Sequence, residues 1–446
     1  MINFGLEGYL GEGLYILAIL MILFSMFKRP IAGLYVLVPL IPLQTIRYRL
    51  SSYPLGGSFV GIMLLAVMIG LFIKHKSPFA KTPWNKLLLA YCVFTFVSLC
   101  LGSLYLNMPL PFLSANDPRF ADWREYILMP LFLFVVAAAV ENRKQMAILV
   151  VLMCVGALAL DKSYWSTISD RDFSAYSDDL RDAGAMGYAG VNGLAAFESQ
   201  FAVFLIALAC FDRRRRYRWG YVVLTLVSCF CLMYSFSRAG YLAVVAGLLF
   251  LGLVRLRWLL VVMMVFGLLW SSVLPNAVRQ RITMTYNSKG GLDHSSETRV
   301  NLWEDAMKLF ESNMAVGTGF NTYAYMGRIG IYKDTHNYFI KVLVETGLVG
   351  FILFVGLIVR FFWTGFMMHW RARDPLAKAL GLGLAAWMVC VIVANCFGDR
   401  WSFLQVNGYM WVIAGLLARA WVMEKQTDTE SLTGDSIAAE PELSPA

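Results

Sequence analysis

Residues 334–354 read "DTHNYFIKVLVETGLVGFILF". From Tyr338 onward the run is long and apolar enough for a membrane helix. Yet it carries Lys341 and Glu345 inside, and His336 stands at its mouth. A charge at the centre of a bilayer costs at least ~2.5–3.5 kcal/mol, so these side chains need a reason to be there. Lys341 and Glu345 are spaced i, i+4, which predicts an ion pair on one helix face. His336 precedes Glu345 by nine positions, which on an unbroken helix sets the two on opposite faces.

The rest of the chain has the same character. Of its 446 residues 59% are hydrophobic and only 15% charged, with a mean hydropathy of +0.62. Soluble chains carry about 25% charged residues. The apolar residues come in blocks, so the expected fold is an all-α polytopic membrane protein. Spans fall at about 8–27, 31–46, 57–73, 84–106, 125–140, 145–160, 192–211, 219–236, 239–254, 258–274, 338–363, 377–397 and 403–422. This makes about 12–13 transmembrane helices, those near 31, 145 and 239 being short.

Basic loops alternate along this series: Lys28/Arg29, Lys74 to Lys86, Arg143/Lys144, Arg213 to Arg218, Arg255/Arg257 and Arg371 to Lys378. The positive-inside rule puts them in the cytoplasm, with the N-terminus outside and the C-terminus inside. That topology accounts for the net charge of +9. No aromatic platform or groove-reading helix accompanies the basic residues, so nucleic acid is not an expected partner. The eight cysteines all sit in apolar blocks, which argues for packing rather than a disulfide framework or zinc site. The first basic residue is Lys28, so no signal-peptide n-region is expected.

The domain reading follows. Residues 1–274 hold about ten spans and an acidic outer loop, 161–191. Residues 275–337 form a large outer loop, 338–423 hold three more spans, and 424–446 form a disordered cytoplasmic tail. The acidic loop contains Asp170-Arg171-Asp172, a bare DxD, too short a motif to establish a metal site. In the large loop, Val300, Trp303, Met307 and Phe310 recur at helical spacing. This predicts an amphipathic helix along the membrane surface, with Ser295 or Ser296 as cap. "GTGFN" (317–321) then breaks the helix as an ordinary turn.

Side chains fit for chemistry gather on the predicted outer side: His336, Arg238, Arg299 and, more weakly, Arg328 and Lys333. Asn192 and Glu198 are further candidates, and Asp399 and Arg400 share a short outer turn in which they can pair. Arg238 is a basic residue on the side where the positive-inside bias disfavours one. Guanidiniums bind phosphate bidentately and keep their charge. An imidazole can accept a hydroxyl proton near neutral pH. Together they suit a lipid-tailed diphosphate attacked by a hydroxyl at the membrane surface.

At this point the chain resembles the bacterial O-antigen ligases and their polymerase relatives. The histidine motif H-[NSQ]-x9-G-x-x-G of that family is matched by His336, Asn337, Gly347 and Gly350. Its R-x3-L is matched by Arg238 and Leu242, and its loop arginine with following tryptophan and glycines by Arg299, Trp303, Gly317 and Gly319. The resemblance covers mainly residues 190–365. It implies a GT-C-like, metal-independent glycosyltransferase of the bacterial inner membrane with its site facing the periplasm. The implied donor is an undecaprenyl-diphosphate-linked glycan, and the acceptor a lipid A-core hydroxyl. His336 would be the catalytic base or acceptor-positioning residue, and Arg238 and Arg299 would hold the diphosphate. Asn337, Trp303, Arg328, Glu345 and Lys341 would support them, with no cofactor. The alternatives are an O-antigen or exopolysaccharide polymerase and, from another class, a small-anion transporter. Lys341 and Glu345 are the transporter's best support.

Overall fold

Each of the thirteen apolar stretches forms a helix, and the described residues contain no strand. The computed structural model describes residues 10–113, 117–168, 171–284, 294–328 and 334–438. The first half comprises α1 (Leu10–Phe27), α2 (Ile31–Leu40), α3 (Gln44–Tyr48), α4 (Phe59–Ile73), α5 (Asn85–Tyr105), α6 (Pro118–Ala139) and α7 (Arg143–Ile168). Next come α8 (Gly190–Phe211), α9 (Arg215–Tyr234), α10 (Arg238–Val254) and α11 (Trp258–Val273). The large loop holds α12 (Asn276–Thr283), α13 (His294–Glu311) and α14 (Tyr323–Met326). The chain then continues through α15 (Tyr338–Arg371), α16 (Pro375–Asn395) and α17 (Leu404–Ala438).

Among the described residues eight helices are long and apolar enough to cross a membrane, or up to ten if each of two bent pairs is one span, fewer than the 12–13 expected; two more apolar helices, Gly11–Phe27 and Arg238–Val254, are shorter. The bends have a chemical cause. Pro42 follows α2, and Ile31–Leu40 turns by 113° into the helical stretch Gln44–Ser52. Pro275 separates α11 from α12, which bend by 112°. Proline removes the N–H that would continue the ladder, which is the effect at Pro42, where Ile41 stays helical; at Pro275 it also pushes the preceding residue out of helical conformation. Leu274 is accordingly extended.

The core is built around α8, which is buried from Gly193 through Leu205 and packs against α9, α10 and α16. α15 and α16 approach most closely where Gly365 faces Gly381. A Cβ on Gly365 would lie 2.7 Å from the Gly381 carbonyl oxygen. Small residues at such crossings let backbones touch where no hydrophobic force drives association. All eight cysteines are free thiols.

α15 is interrupted once, at Gly347 (φ 62°, ψ −168°). The break orphans backbone groups, and the preceding loop satisfies them. The carbonyls of Val344 and Glu345 accept from the N–H groups of Thr318 (3.0 Å) and Gly319 (2.7 Å). The N–H groups of Leu348 and Val349 donate to the carbonyls of Met314 (2.8 Å) and Ala315 (3.2 Å). In an apolar surrounding this exchange is obligatory. It assigns "GTG" a structural job, since Thr318 and Gly319 spend their N–H groups on α15, and Phe320 donates to Ser98 of α5. Residues 338–346 thereby form a short half-helix set at its own angle.

α13 packs on that half-helix, but not by the stripe expected from sequence. Leu302, Ala306 and Leu309 are buried with Tyr323 and Val344. The expected face is one residue out of phase: Val300 is exposed, and Trp303, Met307 and Phe310 are half-buried. Trp303, off the buried face, donates its indole N–H to the Thr335 carbonyl. The side chains of Ser295 and Ser296, the proposed caps, lie outside the described residues, as do Asp170 and Lys333.

Candidate active site

His336 is set by its neighbours on both sides. It occupies a left-handed backbone conformation (φ 52°), one of the few a histidine adopts with modest strain. Before it, the Thr335 carbonyl accepts from Trp303 Nε1 at 3.0 Å, tying the turn to α13. After it, Asn337 caps α15, its Oδ1 accepting from the N–H groups of Phe339 (3.0 Å) and Ile340 (3.3 Å). Thr335 Oγ1 donates to the Asn337 carbonyl at 2.8 Å and closes the turn. Asn337 and Trp303 therefore act on His336 through the backbone.

Burial pushes the His336 imidazole below its ordinary range. Asp334 opposes this, and the charges of Arg299 and Arg400 reinforce it. Such an imidazole is neutral at pH 7 and able to accept a proton.

The arginines form a chain of mutual influence. Arg299 and Arg181 act on Arg400, whose half-buried guanidinium is lowered first by desolvation and then by these two, against Asp399 and Asp334. Arg181 and Arg238 both act on Arg281. Arg181 Nη2 donates to Asn192 Oδ1 (2.9 Å), and Ser237 Oγ donates to the same oxygen (2.8 Å). Ser237 caps α10, so Arg238 is its first residue, and Arg238 Nη1 donates to the Met284 carbonyl (2.9 Å). Arg281 Nε donates to the Phe236 carbonyl (3.2 Å), and its guanidinium stacks 4.9 Å from the Tyr176 ring centre. Five arginines and His336 thus share one end of the bundle.

Of these, Arg181 and Arg281 were not singled out from sequence, and Arg400 was taken only as a partner for Asp399. The same signal was available for both Arg181 and Arg281, basic residues in loops on the side where positive charge is disfavoured.

Two expected ion pairs need correction. Lys341 does not pair with Glu345. Its Nζ lies 3.4 Å from Asp399 Oδ2, while the Glu345 carboxylate accepts the N–H groups of Asn321 (2.9 Å) and Tyr323 (3.2 Å). The break at Gly347 frames that carboxylate under the loop it braces. Asp399 in turn does not pair through its carboxylate with Arg400, whose guanidinium reaches the Asp399 carbonyl at 3.0 Å. Arg328 is held in a bidentate pair with Asp305 of α13 (2.7 and 2.8 Å), which keeps that carboxyl below its usual range and fastens the loop.

In the acidic loop Arg171 pairs with Asp182 (2.7 Å), and Asp172 accepts from Ser174. Among the described residues no three His, Cys, Asp or Glu side chains are grouped as a metal site. Glu198 of α8 is fully buried, and its carboxylate oxygens, like those of Asp161 of α7, have no hydrogen-bond partner among the described residues.

Residues 222–355 match a family model described as O-antigen ligase, a segment that carries Arg238, Arg281, Arg299, Trp303 and His336. No curated protein matches the chain. The matched segment is under a third of the chain.

Proposed function

We propose that the protein is an O-antigen ligase-type glycosyltransferase. It moves a glycan from undecaprenyl diphosphate to a sugar hydroxyl of lipid A-core at the outer face of the bacterial inner membrane. The observation that carries this is the gathering of His336 with Arg181, Arg238, Arg281, Arg299 and Arg400 at one end of a membrane-type bundle. The family match supports the enzyme class.

The chemistry follows from the charges. The acceptor hydroxyl gives its proton to neutral His336 as its oxygen bonds to the anomeric carbon. The bond from that carbon to the diphosphate breaks on the opposite face, so the configuration inverts. The leaving group departs as undecaprenyl diphosphate, its negative charge held by guanidiniums that stay protonated throughout. No step requires a metal. The large loop would supply Arg299 and, through Trp303, the orientation of His336. Arg328, paired with Asp305, would brace this loop rather than touch substrate.

The test is transfer in vitro by purified protein given undecaprenyl-diphosphate-linked glycan and lipid A-core, with chelator present. Glycan on lipid A-core supports the ligase. Lengthening of the lipid-linked glycan with bare core replaces it by a polymerase using the same residues on another acceptor. Loss of all transfer in chelator, restored by a divalent ion, overturns the metal-independent mechanism. The transporter alternative loses its best support, because Lys341 is committed to Asp399 and Glu345 to backbone N–H groups.

A further inference from the structure

The bundle carries a second basic site at its other end. α7 runs from Arg143 to Ile168 and α8 from Gly190 to Phe211, so a helix length of roughly 30–40 Å separates the two ends. Between the starts of α7, α9 and α16 lies a cavity of about 530 Å³. Arg143, Lys144, Arg213, Arg214 and Arg216 line its polar side. Two carboxylates offset part of this charge. Asp212 is paired with Arg214, and Asp374 lies 3.4 Å from Arg143 while capping α16. Among the described residues Lys144, Arg213 and Arg216 have no carboxylate within ion-pair distance, so the cavity lining keeps an excess of three positive charges.

The opposite wall is apolar. Ala147, Ile148, Val151 and Leu152 form one stripe along α7, leading away from the cations into the helix's apolar length, and Leu376 faces them. A soluble anion would find cations but no use for that stripe. An aliphatic chain would find the stripe but not the cations. We infer that this cavity binds the phosphodiester head of an anionic phospholipid, with an acyl chain along the α7 stripe. Basic pockets between membrane helices recognise such heads, each cation near the surface contributing about five-fold in affinity. Three helices also begin at this end, so the positive ends of their dipoles lie beside the cavity.

The site is tested on the full-length protein in detergent, by thermal unfolding and by native mass spectrometry with added phosphatidylglycerol. Phosphatidylglycerol should stay bound and raise the unfolding midpoint where phosphatidylcholine does not. Lys144→Gln/Arg213→Gln/Arg216→Gln should weaken phosphatidylglycerol binding about a hundred-fold. Arg213→Lys/Arg216→Lys should retain it, which separates charge loss from misfolding. Lys28→Gln/Arg29→Gln, which removes cations from another basic loop, should leave it intact. Equal binding of phosphatidylcholine, an equal loss in the Lys28/Arg29 variant, or an equal midpoint rise with inorganic phosphate would each overturn the assignment.

Discussion

Gly347→Ala should uncouple the loop from the half-helix that carries His336. At φ 62° and ψ −168° the residue lies in a region that only glycine enters freely, and an alanine there costs ~1–3 kcal/mol. The added Cβ would also fall 2.4 Å from the carbonyl carbon and oxygen of Ala315, both backbone atoms that cannot rotate away. Relief demands that residues 314–319 move by about an ångström, which strains the four hydrogen bonds joining them to 344–349. Each is worth ~0.5–1.5 kcal/mol net, so weakening half of them adds ~1–3 kcal/mol. The expected loss is therefore ~2–6 kcal/mol, read as a lower unfolding midpoint in detergent together with reduced glycan transfer. Gly327→Ala is the internal control. Gly327 also has a positive φ (58°), but its Cβ would meet nothing within 4 Å. That variant should show only the conformational cost of ~1–2 kcal/mol. A Gly347→Ala midpoint equal to that of Gly327→Ala would refute the account of the break.

His336→Ala should keep the protein folded in the membrane and reduce transfer by ~10²–10⁴-fold, the range for loss of a positioned general base, measured by lipid A-core ligation in vitro. Because the His336 pKa is lowered, the proton-accepting form persists on acidification, and kcat/KM should hold until the pH is below the ordinary histidine value of ~6.5. Arg400→Gln removes a cation that disfavours imidazolium, so the acid limb of that profile should move to higher pH, and an unmoved limb would separate Arg400 from His336. Asp399→Ala strands the mostly buried Lys341 ammonium and should cost ~3–5 kcal/mol in thermal unfolding, while Lys341→Met/Asp399→Leu recovers most of it.

The division between what the sequence shows and what it hides follows the range of the interactions. Apolar blocks set helices locally, and every expected span but 31–46 lies on one helix, because hydropathy and length are properties of consecutive residues. The turn at Pro42 was missed inside the expected span 31–46, where a proline near the end of an apolar run reads as tolerable until the next helix leaves at 113°. The same limit governs charge. Lys341 has one carboxylate four residues away and another 58 residues away, and the i, i+4 rule sees only the first. The Gly347 break decides against it. Once Glu345 lies beside the break, the loop brings the N–H groups of Asn321 and Tyr323 to its carboxylate, and Lys341 is left to Asp399. Motif residues were legible as a set and not as roles. Asn337 is a helix cap, Trp303 a tether for the Thr335 carbonyl, and Gly347 a seam that loop 314–319 closes. Each of these acts on the placement of His336, eleven residues or more away in two of the three cases. The spacing H-N-x9-G-x-x-G then has a physical reading. It sets the length of the half-helix between the cap that fixes the imidazole and the break that fixes the half-helix.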